Sequence, residues 1–282
     1  MRLPLRRSLS IFVLLALAGP IYAAPHGSAR PVSAAIAVKP DGADRARLIP
    51  LMDVFNVRDL GGIDGTRGPI PYDRFIRSAN PAHLTPADSK ELREHHVVLD
   101  IDLRTAEEER TSPDVLADDP HIRYLRISLL GNQPLTLSKM PPSLRALYVN
   151  ALQADQPEFK QVFEAIAAAT DHGSVLYHCS AGKDRAGMVS AMLLQLAGVP
   201  QNEIVHNYAI SAYYLKPMMA TPAMTRMLEK DPAARAYMGS PPQAIEGFLE
   251  ALEHRYGGTA AYLRRIGVPA GDITRIRNRL AP

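Results

Sequence analysis

The 282-residue chain has no tryptophan, few aromatic residues of any kind, and a single cysteine, Cys179. One cysteine excludes an internal disulfide, a redox Cys-x-x-Cys pair and a cysteine-built zinc site, so the thiol is either a small buried hydrophobe or a reactive group. Long apolar runs are also missing. The stretch from Leu9 to Ala18 is far short of what crosses a hydrocarbon core of roughly 30 Å. It follows Arg2, Arg6 and Arg7 and ends at Pro20 and the small residue Ala23, the order of a cleaved secretory leader over residues 1–23. The mature protein is therefore expected in the periplasm or outside the cell, with no transmembrane anchor. An excess of one charge is lacking as well. The chain carries 32 basic and 29 acidic residues, and loss of the three leader arginines makes the two counts equal. Without a whole-protein basic field, a nucleic-acid partner is excluded. There are no internal repeats, and the only biased stretch, residues 24–47, is rich in Ala, Pro and Gly and reads as a flexible tether.

Residues 48–282 alternate strand and helix signals. Thr85-Pro86-Ala87-Asp88 is a helix start with a cap and an N1 proline, Val97–Ile101 lies in a strand, and His121–Leu129 holds another. Pro157 opens a helix in which Phe159, Val162, Phe163 and Ile166 share one face. Met188–Ala197 is apolar on nearly every side, the mark of a buried helix, and Gly198 and Pro200 end it. Further helices are expected at Gln201–Tyr214, Pro242–Tyr256, Thr259–Ile266 and Asp272–Leu280. Such alternation implies an α/β domain, a mainly parallel central sheet flanked by helices. Residues 215–243 stand apart, with Met218, Met219, Met224, Met227 and Met238 among prolines and charges. Both a peripheral core patch and a lid over the active site fit this composition.

The chemistry is concentrated where the apolar strand Ser174-Val175-Leu176-Tyr177 runs into His178-Cys179-Ser180-Ala181-Gly182-Lys183-Asp184-Arg185-Ala186-Gly187. A strand that turns into a helix N-terminus presents free backbone N–H groups, which cradle an anion and favour a thiolate. Arg185, separated from Cys179 by five residues, brings a planar fork that holds two phosphate oxygens at once. A nucleotide-binding loop is excluded: it needs glycine at Tyr177 and a hydroxyl residue at Asp184.

His-Cys-x5-Arg resembles the signature loop of the cysteine-dependent phosphatases, and the fuller Gly182-Lys183-Asp184-Arg185 form resembles that of the bacterial tyrosine and dual-specificity phosphatases. Asn56-Val57-Arg58-Asp59-Leu60-Gly61-Gly62, Phe75-Ile76-Arg77-Ser78, Leu84-Thr85 and Asp102-Leu103-Arg104 are similar to other blocks of that family, in order along the chain. The resemblance implies a cysteine-phosphatase-like fold and hydrolysis of phosphomonoesters: phosphotyrosine, and by extension phosphoserine, phosphothreonine or phosphoinositides. Cys179 would be the nucleophile and form a phosphocysteine. Arg185 and the N–H groups of residues 180–185 would hold the phosphate oxygens, with Ser180, Ala181, Gly182, Lys183, Ala186 and Gly187 lining the substrate. Asp184 is the implied acid for the leaving group. Asp102 and Asp100, on one face of their strand, stand in reserve, each equally readable as a structural carboxylate bonded to a loop or to Arg58. His178, Arg58 and Asp59 would support the loop, His178 by orienting it. Lys183 adds charge that suits highly phosphorylated substrates or is merely solvated. Thiolate and guanidinium supply what a metal would, so no metal or other cofactor is expected.

Two positions depart from the family pattern. Ala186 replaces a hydroxyl residue that would donate to the sulfur, so release of phosphate is expected to be slow. Asn207 stands where an aspartate is expected, so a supporting hydrogen bond or ion pair should be missing. Ala186 keeps a catalytically weak, phosphate-binding pseudo-phosphatase as the alternative. A sulfur-transfer enzyme of related loop design is the third reading, against which Asp184 argues.

Overall fold

A computed structural model describes residues 38–131, 140–169, 173–230 and 234–282. The leader expected over residues 1–23 and the first part of the tether, 24–37, lie outside these residues. In chain order the elements are α1 (Gly42–Ala46), β1 (Arg58–Asp59), β2 (Asp64–Gly65), β3 (Gly68–Pro69), β4 (Phe75–Ser78), α2 (Pro86–Glu94), β5 (Val97–Asp102), α3 (Ala106–Thr111) and β6 (Arg123–Arg126). There follow α4 (Leu144–Ala154), α5 (Gln156–Ala168), β7 (Ser174–His178), α6 (Asp184–Leu196), α7 (Gln201–Ala209) and α8 (Ser211–Tyr214). The chain ends with α9 (Lys216–Met219), α10 (Pro222–Lys230), α11 (Arg235–Met238), α12 (Pro242–Tyr256), α13 (Thr259–Arg265) and α14 (Ala270–Arg279).

Every residue of β7 is buried, as a strand covered by helices on both faces must be. It lies at the centre of a five-stranded sheet of order β1-β4-β7-β5-β6, parallel throughout except that β1 runs antiparallel to β4. The mainly parallel sheet flanked by helices is thus as expected. The larger core cluster holds the predicted face Phe159, Val162, Phe163 and Ile166 of α5, together with Met188, Val189, Met192 and Leu193 of α6 and Phe248 of α12. A smaller cluster gathers Ile76, Val97 and Leu176 with Val57, Leu92 and Leu116. Helix α6 is buried along nearly its whole length. Its N-terminus, and hence the loop in front of it, is fixed by the packing of a central element rather than by a surface contact.

Two expectations need correction. The tether was expected to reach residue 47, but Gly42–Ala46 is helical, started by an Asp41/Asp44 capping box and tied down through Asp44, which pairs with Arg47 (2.7 Å) and with His206 of α7 (2.7 Å). The helix predicted over Gln201–Tyr214 is two pieces, α7 and α8, meeting at Ile210. β1, β4, α3 and α4 were not anticipated; the first two place fully buried arginines, Arg58 and Arg77, in strands too short to show alternation. Within 215–243, α9, α10 and α11 surround an apolar cavity of about 220 Å³ lined by Leu215, Met219, Leu228 and Met238. Among the described residues no helix is long and apolar enough to cross a membrane.

Candidate active site

β7 ends at His178 and α6 begins at Asp184, so residues 179–183 form the turn between the central strand and the buried helix. Gly182 has φ +61°, and a Cβ there would lie 2.4 Å from the backbone of Ser78 on β4. Only glycine lets the loop press so close to the sheet. From behind, Asn56 donates to the carbonyls of Ala181 (3.1 Å) and Gly182 (3.0 Å), and Arg77 donates to Gly182 O (2.7 and 3.2 Å) and Lys183 O (3.3 Å). Arg58 completes the support by donating to Asn56 Oδ1, the Asn207 carbonyl and Ser211 Oγ. With its carbonyls engaged from the rear, the loop turns the N–H groups of Ala181 and Ala186 onto the Cys179 sulfur.

Burial alone would raise the Cys179 thiol, but the Arg185 charge and these two N–H groups outweigh it and hold the thiol below the ordinary cysteine value. Ala186 therefore reaches the sulfur through its backbone, which answers in part for the hydroxyl it lacks. Arg185 makes two short ion-pair contacts with Glu108, Nη1 to Oε2 at 2.7 Å and Nη2 to Oε1 at 2.8 Å, and Nη2 also donates to Ser180 Oγ (2.8 Å). The Ser180 hydroxyl in turn donates to Glu108. Burial works against the Glu108 carboxylate, yet Arg185 and Ser180 keep it well below the usual carboxylate range. Glu108 was missed by the sequence reading. Its signal is the capping box at the start of α3, Thr105-x-x-Glu108, which begins directly after Asp102-Leu103-Arg104.

Asp184 opens α6 with its side chain 25% exposed. It accepts a short hydrogen bond from Tyr148 on α4, whose hydroxyl lies 2.8 Å from that of Tyr208 on α7. Lys183 is not solvated. Its Nζ donates to the carbonyls of Tyr237 and Gly239, both at 2.6 Å, at the end of α11, and lies 3.3 Å from Asp184 Oδ1.

Several predicted residues lie elsewhere. The His178 ring makes no hydrogen bond to the loop: it is buried, with Nε2 2.7 Å from Asp114 and 3.6 and 3.8 Å from Asp100 and Asp102 of β5. Burial alone would lower it, but these carboxylates raise it to about 9. Asp102 is held by Arg104 in two contacts (2.7 and 2.9 Å) and by the Tyr124 hydroxyl, so it is a structural carboxylate whose partner is Arg104 rather than Arg58. Burial pushes the Asp100 carboxyl well above the carboxylate range. Asp59 accepts from the N–H groups of Gly61 and Asp73 and braces that turn, not the signature loop. A Cβ on Gly187 would sit 3.1 Å from the Tyr208 ring and 3.4 Å from Arg77, so this glycine admits those side chains behind the loop rather than lining the substrate. Asn207 keeps the hydrogen bond expected to be lost, accepting from Arg77 Nη1 at 2.9 Å; only the ion pair is absent. Among the described residues two clusters gather donors of metal-ligating type, Asp59/Asp73/His95 and Asp100/Asp114/His178, and neither includes Cys179.

A sequence profile of the tyrosine phosphatase family matches residues 49–282. Over 225 residues, 75% of each chain, the protein is 46% identical to a tyrosine-protein phosphatase of Nostoc commune. It is 26% identical over 119 residues, 38% of this chain and 43% of the other, to the triple specificity protein phosphatase PtpB of Mycobacterium tuberculosis. Among solved structures, TpbA of Pseudomonas aeruginosa in complex with phosphotyrosine aligns over 64% of this chain and 86% of its own at 16% identity. Its TM-score of 0.27 is too low to bear on the site.

Proposed function

Because the chain belongs to the tyrosine phosphatase family, as a protein-tyrosine phosphatase hydrolase, we propose that it cleaves phosphomonoesters through a phosphocysteine on Cys179. The observation that carries this reading is the sulfur itself, set at the mouth of a helix where Arg185 and two backbone N–H groups hold the thiol below its ordinary value. The thiolate attacks phosphorus, the bond from phosphorus to the ester oxygen breaks, and its electron pair leaves on that oxygen. Asp184 delivers the proton the oxygen needs. Water then attacks the phosphocysteine, Asp184 takes the water's proton, and the P–S bond breaks to restore the thiolate. Arg185 and the loop N–H groups hold the phosphate oxygens through both steps, where preorganised donors act most strongly.

Phosphotyrosine is the preferred substrate in this proposal. The amine of Lys183, which would greet extra phosphates on a phosphoinositide, is held by the Tyr237 and Gly239 carbonyls. Residues 215–243 act as a lid anchored on that amine. Export by a leader cleaved after Ala23 belongs to the same proposal, supported by the basic, apolar, small order of residues 1–23.

The test uses the protein without its leader. Phosphotyrosine and aryl phosphates should be hydrolysed equally well with and without EDTA, Cys179→Ser should be inactive, and acid quenching should trap a phosphorylated enzyme. Asp184→Asn should slow phosphotyrosine far more than an ester whose leaving group needs no proton. Loss of activity in EDTA, or turnover by Cys179→Ser, would overturn the mechanism. Equal losses for both esters would remove Asp184 as the acid.

A further inference from the structure

Arg77 on β4 is completely buried, and among the described residues no carboxylate is its hydrogen-bond or ion-pair partner. Two other buried arginines around the loop are different: Arg104 holds Asp102 and Arg185 holds Glu108. The Arg77 fork donates only to the neutral oxygens of Gly182, Lys183 and Asn207. The groups that act on its charge are Tyr177 of β7, Tyr208 of α7, Tyr148 of α4 and the Cys179 sulfur, while Arg58 on neighbouring β1 repels it. Arg58 likewise donates only to Asn56, Asn207 and Ser211. A buried cation without a counter-ion is costly and is retained only where something gains from it.

We infer that Arg77 is a positioning residue whose uncompensated charge, set behind the signature loop, takes the Cys179 thiolate and then the bound phosphate as its counter-ion. Its three bonds to loop carbonyls fix the backbone so that the N–H groups face the sulfur. Its charge adds to the field of Arg185, against which Asp184 works from the start of α6. Gly187, by lacking a side chain, leaves room for the fork, and Asn207 supplies an acceptor without a negative charge. The inference rests on reading Cys179 as the nucleophile.

A purely structural staple and an electrostatic one separate in the isosteric variant Asn207→Asp, which keeps the acceptor oxygen and places an anion against Arg77. Two measurements are made on the leaderless protein: the rate of Cys179 alkylation by iodoacetamide across pH, and inhibition by inorganic phosphate. Asn207→Asp should melt no lower than wild type, yet its thiol should titrate higher by roughly one pH unit. Phosphate should inhibit it several-fold less well. Arg77→Gln, which keeps donors but loses charge, should shift both readings the same way, whereas Arg77→Lys should keep the wild-type thiol titration while kcat falls. A wild-type alkylation profile and wild-type phosphate inhibition in Asn207→Asp would overturn the inference. A wild-type protein whose own thiol titrates like free cysteine would instead remove Cys179 as nucleophile, and the inference with it.

Discussion

Glu108 joins the two halves of the loop, receiving Arg185 through both terminal nitrogens and Ser180 through its hydroxyl. Neutralising it leaves the guanidinium fork free to turn away from the position where phosphate oxygens would sit. A charge-assisted hydrogen bond is worth about 1.5 to 3 kcal/mol, so Glu108→Gln should lower kcat/KM for phosphotyrosine by about ten- to a hundredfold. The fold should remain intact by circular dichroism; kcat/KM within twofold of wild type would mean that Arg185 is aligned by the loop alone. The residue was hard to find in sequence because it sits in Ala106-Glu107-Glu108-Glu109-Arg110, a run that reads as solvated surface. A capping box announces a helix start, not a catalytic neighbour. The candidates Cys179, Arg185 and Asp184 stood out for the opposite reason, since few arrangements place a lone thiol and an arginine with five residues between them where an apolar strand meets a helix.

At the scale of elements, the strand, loop and helix around Cys179 were readable because β7 and α6 are apolar runs with nothing to interrupt them. β1 and β4 were not, since Arg58 and Arg77 break the expected pattern, and their burial depends on acceptors supplied by the loop and α7. In α4 the residues Leu144, Leu147, Tyr148 and Ala151 do follow helical spacing and are all buried, so that helix was open to prediction although it was not among the expected elements. The start of α2 joins local and distant structure. Thr85 and Asp88 cap each other, and Asp88 also accepts from Met52 N at 2.9 Å, pinning the segment before β1. Thr85→Ala should therefore cost about 1 kcal/mol, the usual loss of a cap, and Asp88→Ala roughly 2 kcal/mol, because it frees an additional backbone N–H. Urea unfolding of the two variants checks the order. Equal losses would show that the Met52 contact adds nothing.

For the molecule as a whole, α1 is fastened to α7 by charges that titrate in different ranges. Burial alone would raise Asp44, but His206, the Asp41 N–H and Arg47 hold it well below the usual carboxylate range. The Asp44 hydrogen bond, working against burial, raises His206 above its ordinary value. The depressed carboxylate stabilises fully above its unfolded value of about 3.9 and loses this as pH falls through its folded value. The raised imidazole stabilises fully below about 6.5 and loses this as pH rises through its folded value. The fastening is thus complete between about pH 4 and 6.5. The melting temperature of His206→Gln should fall furthest below wild type near pH 5 to 6, and the gap should shrink towards pH 9. A gap that does not change with pH would mean that the pair is not what holds α1.

Lys183 gives the molecule one more property. Its amine is enclosed by the Tyr237 and Gly239 carbonyls, while Lys90 and Lys216 lie near the surface. Acylating reagents that label those lysines freely meet Lys183 only after the 237–239 segment has lifted away. The labelling rate of that one amine, set against the others in the same chain, would thus report how often the Tyr237 and Gly239 carbonyls release it.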